Sequence, residues 1–306
     1  MASPLGAGLT MPEIAVIIPT YNRADTVVRA VASALAQTHQ DVEVLVVDDG
    51  SSDNTLALLD TISDRRLRIL HHAYNRGAAA ARNTGIAGAD SRYIAWLDSD
   101  DAWYPHKLEF QLDRLRSAPS AEAVSCHAVQ LHLLDHGVDC VRTPAHSECW
   151  QRGLLLNCDL SPGSTLLARR DAFEITGPLD ETLPRFEDWD WLLRYASLGG
   201  SIALLPAVLA EIWNRRGRLG RQHEHSARRF IAKHSELYAA LPGPDRRQGL
   251  CDIWLQVSGT YFFEGQYGQA LFAALHSAKQ RPLHASQRLL GHCFKRLTAQ
   301  WPLRTA

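Results

Sequence analysis

The sequence predicts an α/β fold, with a mainly parallel central sheet flanked by helices and a C-terminal helical extension. Three observations carry the prediction. Short runs of apolar, largely β-branched residues alternate with helix-period segments through the first hundred residues, the pattern of strands buried on both faces. These runs end in polar clusters, and a sheet of this kind binds ligands beyond the carboxyl ends of its strands. Charge is divided unevenly: residues 1–210 carry 17 Lys and Arg against 27 Asp and Glu, whereas residues 211–306 carry 15 against 6. The change falls just after Val208 to Trp213, which predicts a main domain over 1–213 and a helical extension over 214–306.

The first strand is Ile14-Ala-Val-Ile-Ile-Pro19, followed at once by Thr20-Tyr-Asn-Arg23. Asp25 is expected to cap the next helix, whose Val27, Val31 and Leu35 share a face. A second buried strand, Val42 to Val47, runs into Asp48-Asp-Gly-Ser-Ser-Asp-Asn-Thr55 and a short helix, and Leu67 to Leu70 gives a third. Asn75-Arg-Gly77 then turns into an Ala-rich helix from Ala78 to about Ile86. The strand Tyr93 to Leu97 delivers three carboxylates, Asp98, Asp100 and Asp101. Like charges this close raise one another's pKa unless a cation neutralises them, so Mg2+ or Mn2+ is the expected resident. Such ions are shared with substrate phosphates, which implies a phosphorylated co-substrate. Asp101 is expected to cap the helix that follows, with Pro105 in its first turn.

Five segments in register resemble family 2 glycosyltransferases of the GT-A fold: Val16-Ile-Ile-Pro-Thr-Tyr-Asn22, Val46-Val-Asp-Asp-Gly-Ser-Ser-Asp53, Gly77 with Ala81-Arg-Asn-Thr-Gly-Ile86, Leu97-Asp-Ser-Asp-Asp101, and Phe186-Glu-Asp-Trp-Asp190. They cover roughly the first 215 residues. The resemblance implies transfer of a sugar from a nucleotide diphosphate donor, with inversion at the anomeric carbon. It places Pro19, Tyr21, Asn22, Asp49, Arg82 and Asp98 at the nucleotide: Tyr21 stacked on the base, Asp49 rather than Asp48 accepting a hydrogen bond from uracil or thymine, Arg82 facing the diphosphate or bracing the acidic motif, and Asp98 at the ribose or a metal-bound water. It makes Asp100 the direct metal ligand, Asp188 the base that deprotonates the acceptor hydroxyl, and Glu187 the residue that orients the acceptor or its loop. Both acids begin a helix, where a carboxylate is held rigidly and partly desolvated. One departure from the family pattern stands in Ile212-Trp-Asn-Arg-Arg-Gly-Arg-Leu-Gly-Arg221, where relatives carry a histidine near metal or diphosphate. Here Arg215, Arg216 or Arg218, or else His223 or His225, takes that place.

Other features exclude rival classes. Pro19-Thr-Tyr-Asn is not the Gly-rich phosphate loop of a nucleotidyltransferase, and no G-x-G-x-x-G fingerprint of a dehydrogenase follows a strand. Intact Asp100 and Asp188 argue against a non-catalytic sugar-binding relative. No segment is apolar enough to cross a bilayer, no secretory leader is evident, and six cysteines lack paired metal spacing, so reduced thiols in a cytoplasm are expected. Trp254 to Pro282 resembles one tetratricopeptide helix pair, which is expected to pack on the main domain or on a second subunit of a homodimer. Leu283 to Trp301 forms a basic amphipathic helix candidate, either lying peripherally on the inner face of an anionic membrane or docked on its own protein. The expected partners are a nucleotide-sugar donor and a glycan or lipid-linked acceptor; nucleic acid is not among them, because no binding motif accompanies the charge.

Overall fold

The computed structural model describes residues 11–286 except 120–121, 134–137 and 215–218. Strand β1 (Ile14–Thr20) is buried over its whole length because β2 (Val42–Asp48) and β4 (Tyr93–Trp96) flank it in parallel and both its faces are covered. Successive side chains point to opposite faces of a strand, so Ile14, Val16 and Ile18 enter one apolar cluster while Ala15 and Ile17 enter the other. β3 (Leu67–His71) extends the parallel part beyond β2. The helices between these strands are α1 (Val27–Leu35), α2 (Thr55–Leu59) and α3 (Ala78–Gly88). The Ala-rich composition of α3 has a packing cause: a Cβ on Gly85 would lie 2.4 Å from Cγ2 of Ile17, so only small residues let this helix sit so close to β1.

After β4 come β5 (Ala102–Trp103), α4 (Lys107–Arg116), β6 (Val124–Leu133), β7 (Val138–Arg142), α5 (Trp150–Leu156), α6 (Pro162–Thr165), β8 (Leu167–Arg169), α7 (Arg170–Thr176), α8 (Glu187–Ser197) and β9 (Ile202–Asn214). The strands form one sheet ordered β3-β2-β1-β4-β8-β6-β9-β5, with β7 on β6. The expected parallel arrangement holds from β3 to β4 and in the β6–β9 pair; β8, β5 and β7 pair antiparallel, making the second half of the sheet mixed. Two expected caps are displaced. The residue before α1 is Thr26, not Asp25, and α4 starts after His106, because Asp101 is turned inward by other partners.

The C-terminal helices are α9 (Gly220–Lys233), α10 (Ser235–Ala240), α11 (Gly243–Phe263) and α12 (Tyr267–Gln280). Cys251, Leu255 and Ala285 form a small buried cluster of their own, but most of the buried residues of these helices pack into the core of the sheet. Ala227, Phe230, Ile253, Trp254, Val257 and Tyr261 join the same buried cluster as Trp96, Trp189 and Trp191, with the Trp189 and Phe230 rings 4.8 Å apart. Most of the Leu283 to Trp301 helix candidate lies outside the described residues. No described helix is long and apolar enough to cross a membrane.

Candidate active site

The polar ends of β1, β2 and β4 meet on one side of the sheet, where α3 and α8 also point their first turns. At the end of β1 the chain turns through Asn22, whose left-handed φ of 51° is fixed from the facing loop. Its N–H donates to Ser51 Oγ at 2.9 Å, and its Oδ1 accepts from Ser52 N at 2.8 Å. That turn leaves Tyr21 44% exposed. Pro19 is buried inside β1, paired with Val47, and shapes the strand end.

Asp49 is held by the loop that follows β3. Its side chain is only 3% exposed. Oδ1 meets His72 Nδ1 at 2.6 Å and accepts from Arg76 N at 2.9 Å, while Oδ2 accepts from Gly77 N at 2.7 Å and Arg76 N at 3.0 Å. Three donors, with the Arg76 N–H shared between both oxygens, occupy most of this carboxylate's acceptor sites. What it does is hold the 75–77 turn against β2. Asp48 is equally buried and binds Ser51 N and His71 Nδ1.

The acidic motif is tightly gathered. Carboxylate oxygens of Asp98, Asp100 and Asp101 lie within 4.8 Å of one another. Asp101 is fixed by Ser164 Oγ, which donates to Oδ2 at 2.5 Å, and by Trp213 N, which donates to Oδ1 at 3.0 Å. Burial and then the charge of Asp98 raise the pKa of both Asp100 and Asp101, the latter well above the usual range with Asp100 adding to the effect. Three repelling carboxylates are a donor set that fits a hard divalent cation. Arg23 approaches Asp100 Oδ2 at 3.4 Å from the other side.

Arg82 ties this cluster to α8. Its buried guanidinium donates from NH1 to Glu187 Oε1 at 2.6 Å and from NH2 to Asp98 Oδ1 at 2.5 Å. Burial alone would lower its pKa; Asp98, Glu187 and Asp188 outweigh that and hold it above the ordinary value. Glu187 is shifted upward by burial and by Asp188, with Arg82 pulling the other way. Beneath them Trp96 of β4 packs on Trp191 of α8, with ring centroids 5.7 Å apart, which locks the two elements in place. Asp188 stands in the first turn of α8, half-buried, its Oδ1 accepting from Trp189 N at 2.8 Å. The third acid of that turn, Asp190, points away, into His234 Nε2 at 2.8 Å, Lys233 Nζ at 3.0 Å and Arg194 Nε at 2.9 Å.

The segment around α6 was not legible in the sequence. Ser164 braces Asp101 and accepts from Asp98 N at 3.1 Å, and a Cβ on Gly163 would lie 2.6 Å from Asp98 Oδ2. Ser161-Pro-Gly-Ser164 matches no recognised motif, and only the tertiary approach of α6 to β4 reveals its role. Of the residues proposed for the third phosphate or metal contact, Arg215, Arg216 and Arg218 lie outside the described residues. His225 is exposed; His223 packs edge-on against Phe186 at 5.5 Å, its pKa lowered to about 4 by burial and by Arg185.

Residues 15–137 match the family described as Glycosyl transferase family 2, and they contain β1 to β4 with the polar ends just described. Over this segment the chain is similar to glycosyl transferase family 2. It is 46% identical over 114 residues to the succinoglycan biosynthesis protein ExoO of Rhizobium meliloti (strain 1021), covering 37% of this chain and 33% of that one. It is 44% identical over 102 residues to the UDP-Glc:alpha-D-GlcNAc-diphosphoundecaprenol beta-1,3-glucosyltransferase WfgD of Escherichia coli, covering 33% and 40%. The matches thus span about a third to two fifths of these relatives' lengths. Among solved structures, the mannosyltransferase PcManGT from Pyrobaculum calidifontis, in complex with GDP-Man and Mn2+, superposes over 94% of this chain and 81% of its own with a TM-score of 0.60 at 18% identity. With this likeness the chain has the GT-A fold.

Proposed function

We propose that the chain is a metal-dependent inverting glycosyltransferase that moves a sugar from a nucleotide diphosphate donor to an acceptor hydroxyl on a glycan or lipid-linked glycan. The observation that carries this reading is the Asp98–Arg82–Glu187 bridge, which joins a cation-fitting carboxylate cluster to the helix start that holds Asp188. Tyr21 receives the nucleobase on its open face, and Asp49 builds the pocket by anchoring the 75–77 turn. Asp100, with Asp98 and Asp101 beside it, would hold Mn2+ or Mg2+, which when bound would supply Lewis-acid stabilisation of the charge on the departing diphosphate.

The acceptor enters on the α8 side. Asp188 takes the proton of its hydroxyl as the new glycosidic bond forms, and Glu187, fixed by Arg82, orients the loop that receives it. A base opposite the leaving group makes the product inverted at the anomeric carbon. The UDP-glucose named for the Escherichia coli relative favours a uridine donor, and its lipid-diphosphate-linked acceptor favours polysaccharide or glycoconjugate assembly. The test is turnover of UDP-sugars with added Mn2+ by the wild type and Asp100→Asn. The reading expects metal-dependent turnover in the first and none in the second, with the fold intact; chelator-resistant activity in Asp100→Asn contradicts it.

A further inference from the structure

α12 inverts the usual arrangement of a surface helix. Its buried side is made of small residues, Ala270, Ala273, Ala274 and Ser277, set against α11, while its large apolar side chains face outward. Tyr267, Leu271 and Leu275 stand four residues apart and so share a face, with Phe272 beside them. They are 55%, 62%, 54% and 46% exposed in that order, and Leu283, just past the helix, is 82% exposed. A helix that docks only on its own protein turns such residues inward; a row of them turned outward marks a surface built to be covered by something else.

The charge beside this face has one sign. Lys279 and Arg281 are exposed at its end, and the guanidinium of Arg228 in α9 lies 5.9 Å from the Phe272 ring. Residues 265–306 contain six Lys and Arg and no Asp or Glu. The nearest acids are already engaged: Glu264 accepts from the N–H groups of Leu219 and Gly220, and Glu224 from Arg228 and Tyr261. A second copy of the chain on this face would set these cations against their equals, and a nucleic acid would leave Leu271 and Leu275 without apolar cover. An anionic bilayer answers both features, because leucine and phenylalanine enter the acyl boundary while lysine and arginine meet lipid phosphates. Tyrosine is at home at the headgroup level between them.

We propose that the outer face of α12, with Lys279 and Arg281 at its end, docks the protein on an anionic lipid bilayer. The test is flotation of the full chain with vesicles of phosphatidylcholine alone and of equal parts phosphatidylcholine and phosphatidylglycerol. Neither donor nor acceptor is present, so the outcome is independent of the glycosyltransferase reading. Partitioning onto the anionic vesicles should be at least about tenfold stronger than onto the neutral ones and should weaken as salt is raised. Leu271→Glu combined with Leu275→Glu should lower it at least about tenfold, and Lys279→Glu combined with Arg281→Glu should reduce the preference for phosphatidylglycerol. Both variants should keep the wild-type Tm, since the replaced side chains are exposed. Vesicle binding that is absent, indifferent to lipid charge, or unchanged in the leucine variant overturns the proposal. So does a leucine variant that binds vesicles as the wild type does but has a lower Tm or dissociates a dimer, because the face is then covered by protein.

Discussion

Arg82 reaches Asp98 and Glu187 with its guanidinium shut away from water, so removing it strands the buried Glu187 without a partner. Arg82→Met should therefore cost about 3–5 kcal/mol in urea melts at neutral pH, the range for breaking a buried ion pair. Glu187 is already pushed upward by burial and by Asp188, and without Arg82 it rises further. A raised carboxyl pKa stabilises the fold below the unfolded value and loses that contribution as pH rises, so the deficit of Arg82→Met should be smaller near pH 4 than at pH 8. Equal deficits at both would mean that Glu187 is not the stranded group. At this scale the sequence was informative where chemistry repeats along one segment. Asp98, Asp100 and Asp101 were readable as one cluster because three neighbouring carboxylates must converge. Asp49 was not, because its inward hydrogen bonds come from His72, Arg76 and Gly77, more than twenty residues away.

Among the elements, α6 sets the spacing of the site. The absence of a side chain at Gly163 admits Asp98, and Gly163→Ala should force Asp98 outward at about 1–3 kcal/mol of strain. Metal-dependent turnover should fall at least tenfold while far-UV circular dichroism is unchanged; full turnover would show that Asp98 has room to spare. β6 carries a second testable feature. Burial, reinforced by Lys107, lowers the His127 pKa to about 3, so the ring is neutral in the fold and must gain a proton on unfolding below about pH 6.5. Its stabilising contribution is complete above pH 6.5 and fades as pH falls toward 3, by up to about 1.4 kcal/mol per pH unit. His127→Gln should flatten the loss of stability between pH 6.5 and 5, and an unchanged slope would place the titration elsewhere. The strands of the first half were legible because parallel strands are apolar throughout. β6 was not, since Ser125, His127, Gln130 and His132 interrupt its apolar residues, whereas the apolar end of β9 was read around Val208 to Trp213.

For the whole molecule, the C-terminal helices complete the core on which α8 rests. Asp190 is gripped by Lys233 and His234, and Phe230 fills the space against Trp189. Phe230→Ala should cost about 3–5 kcal/mol and lower transfer more than donor binding, because the packing it removes lies under the acceptor side. The charge division did not reveal that these helices pack into the core under α8, which depends on Trp189 meeting Phe230 across about forty residues of sequence. The central claim is that Asp188 deprotonates the acceptor hydroxyl opposite the departing diphosphate. It is tested most directly by NMR of the product's anomeric configuration, run beside the rate of Asp188→Asn. The account predicts an inverted product from the wild type, and a variant that binds donor normally yet transfers ~10²–10⁴-fold more slowly. A retained configuration, or an Asp188→Asn enzyme that transfers at the wild-type rate, would contradict it.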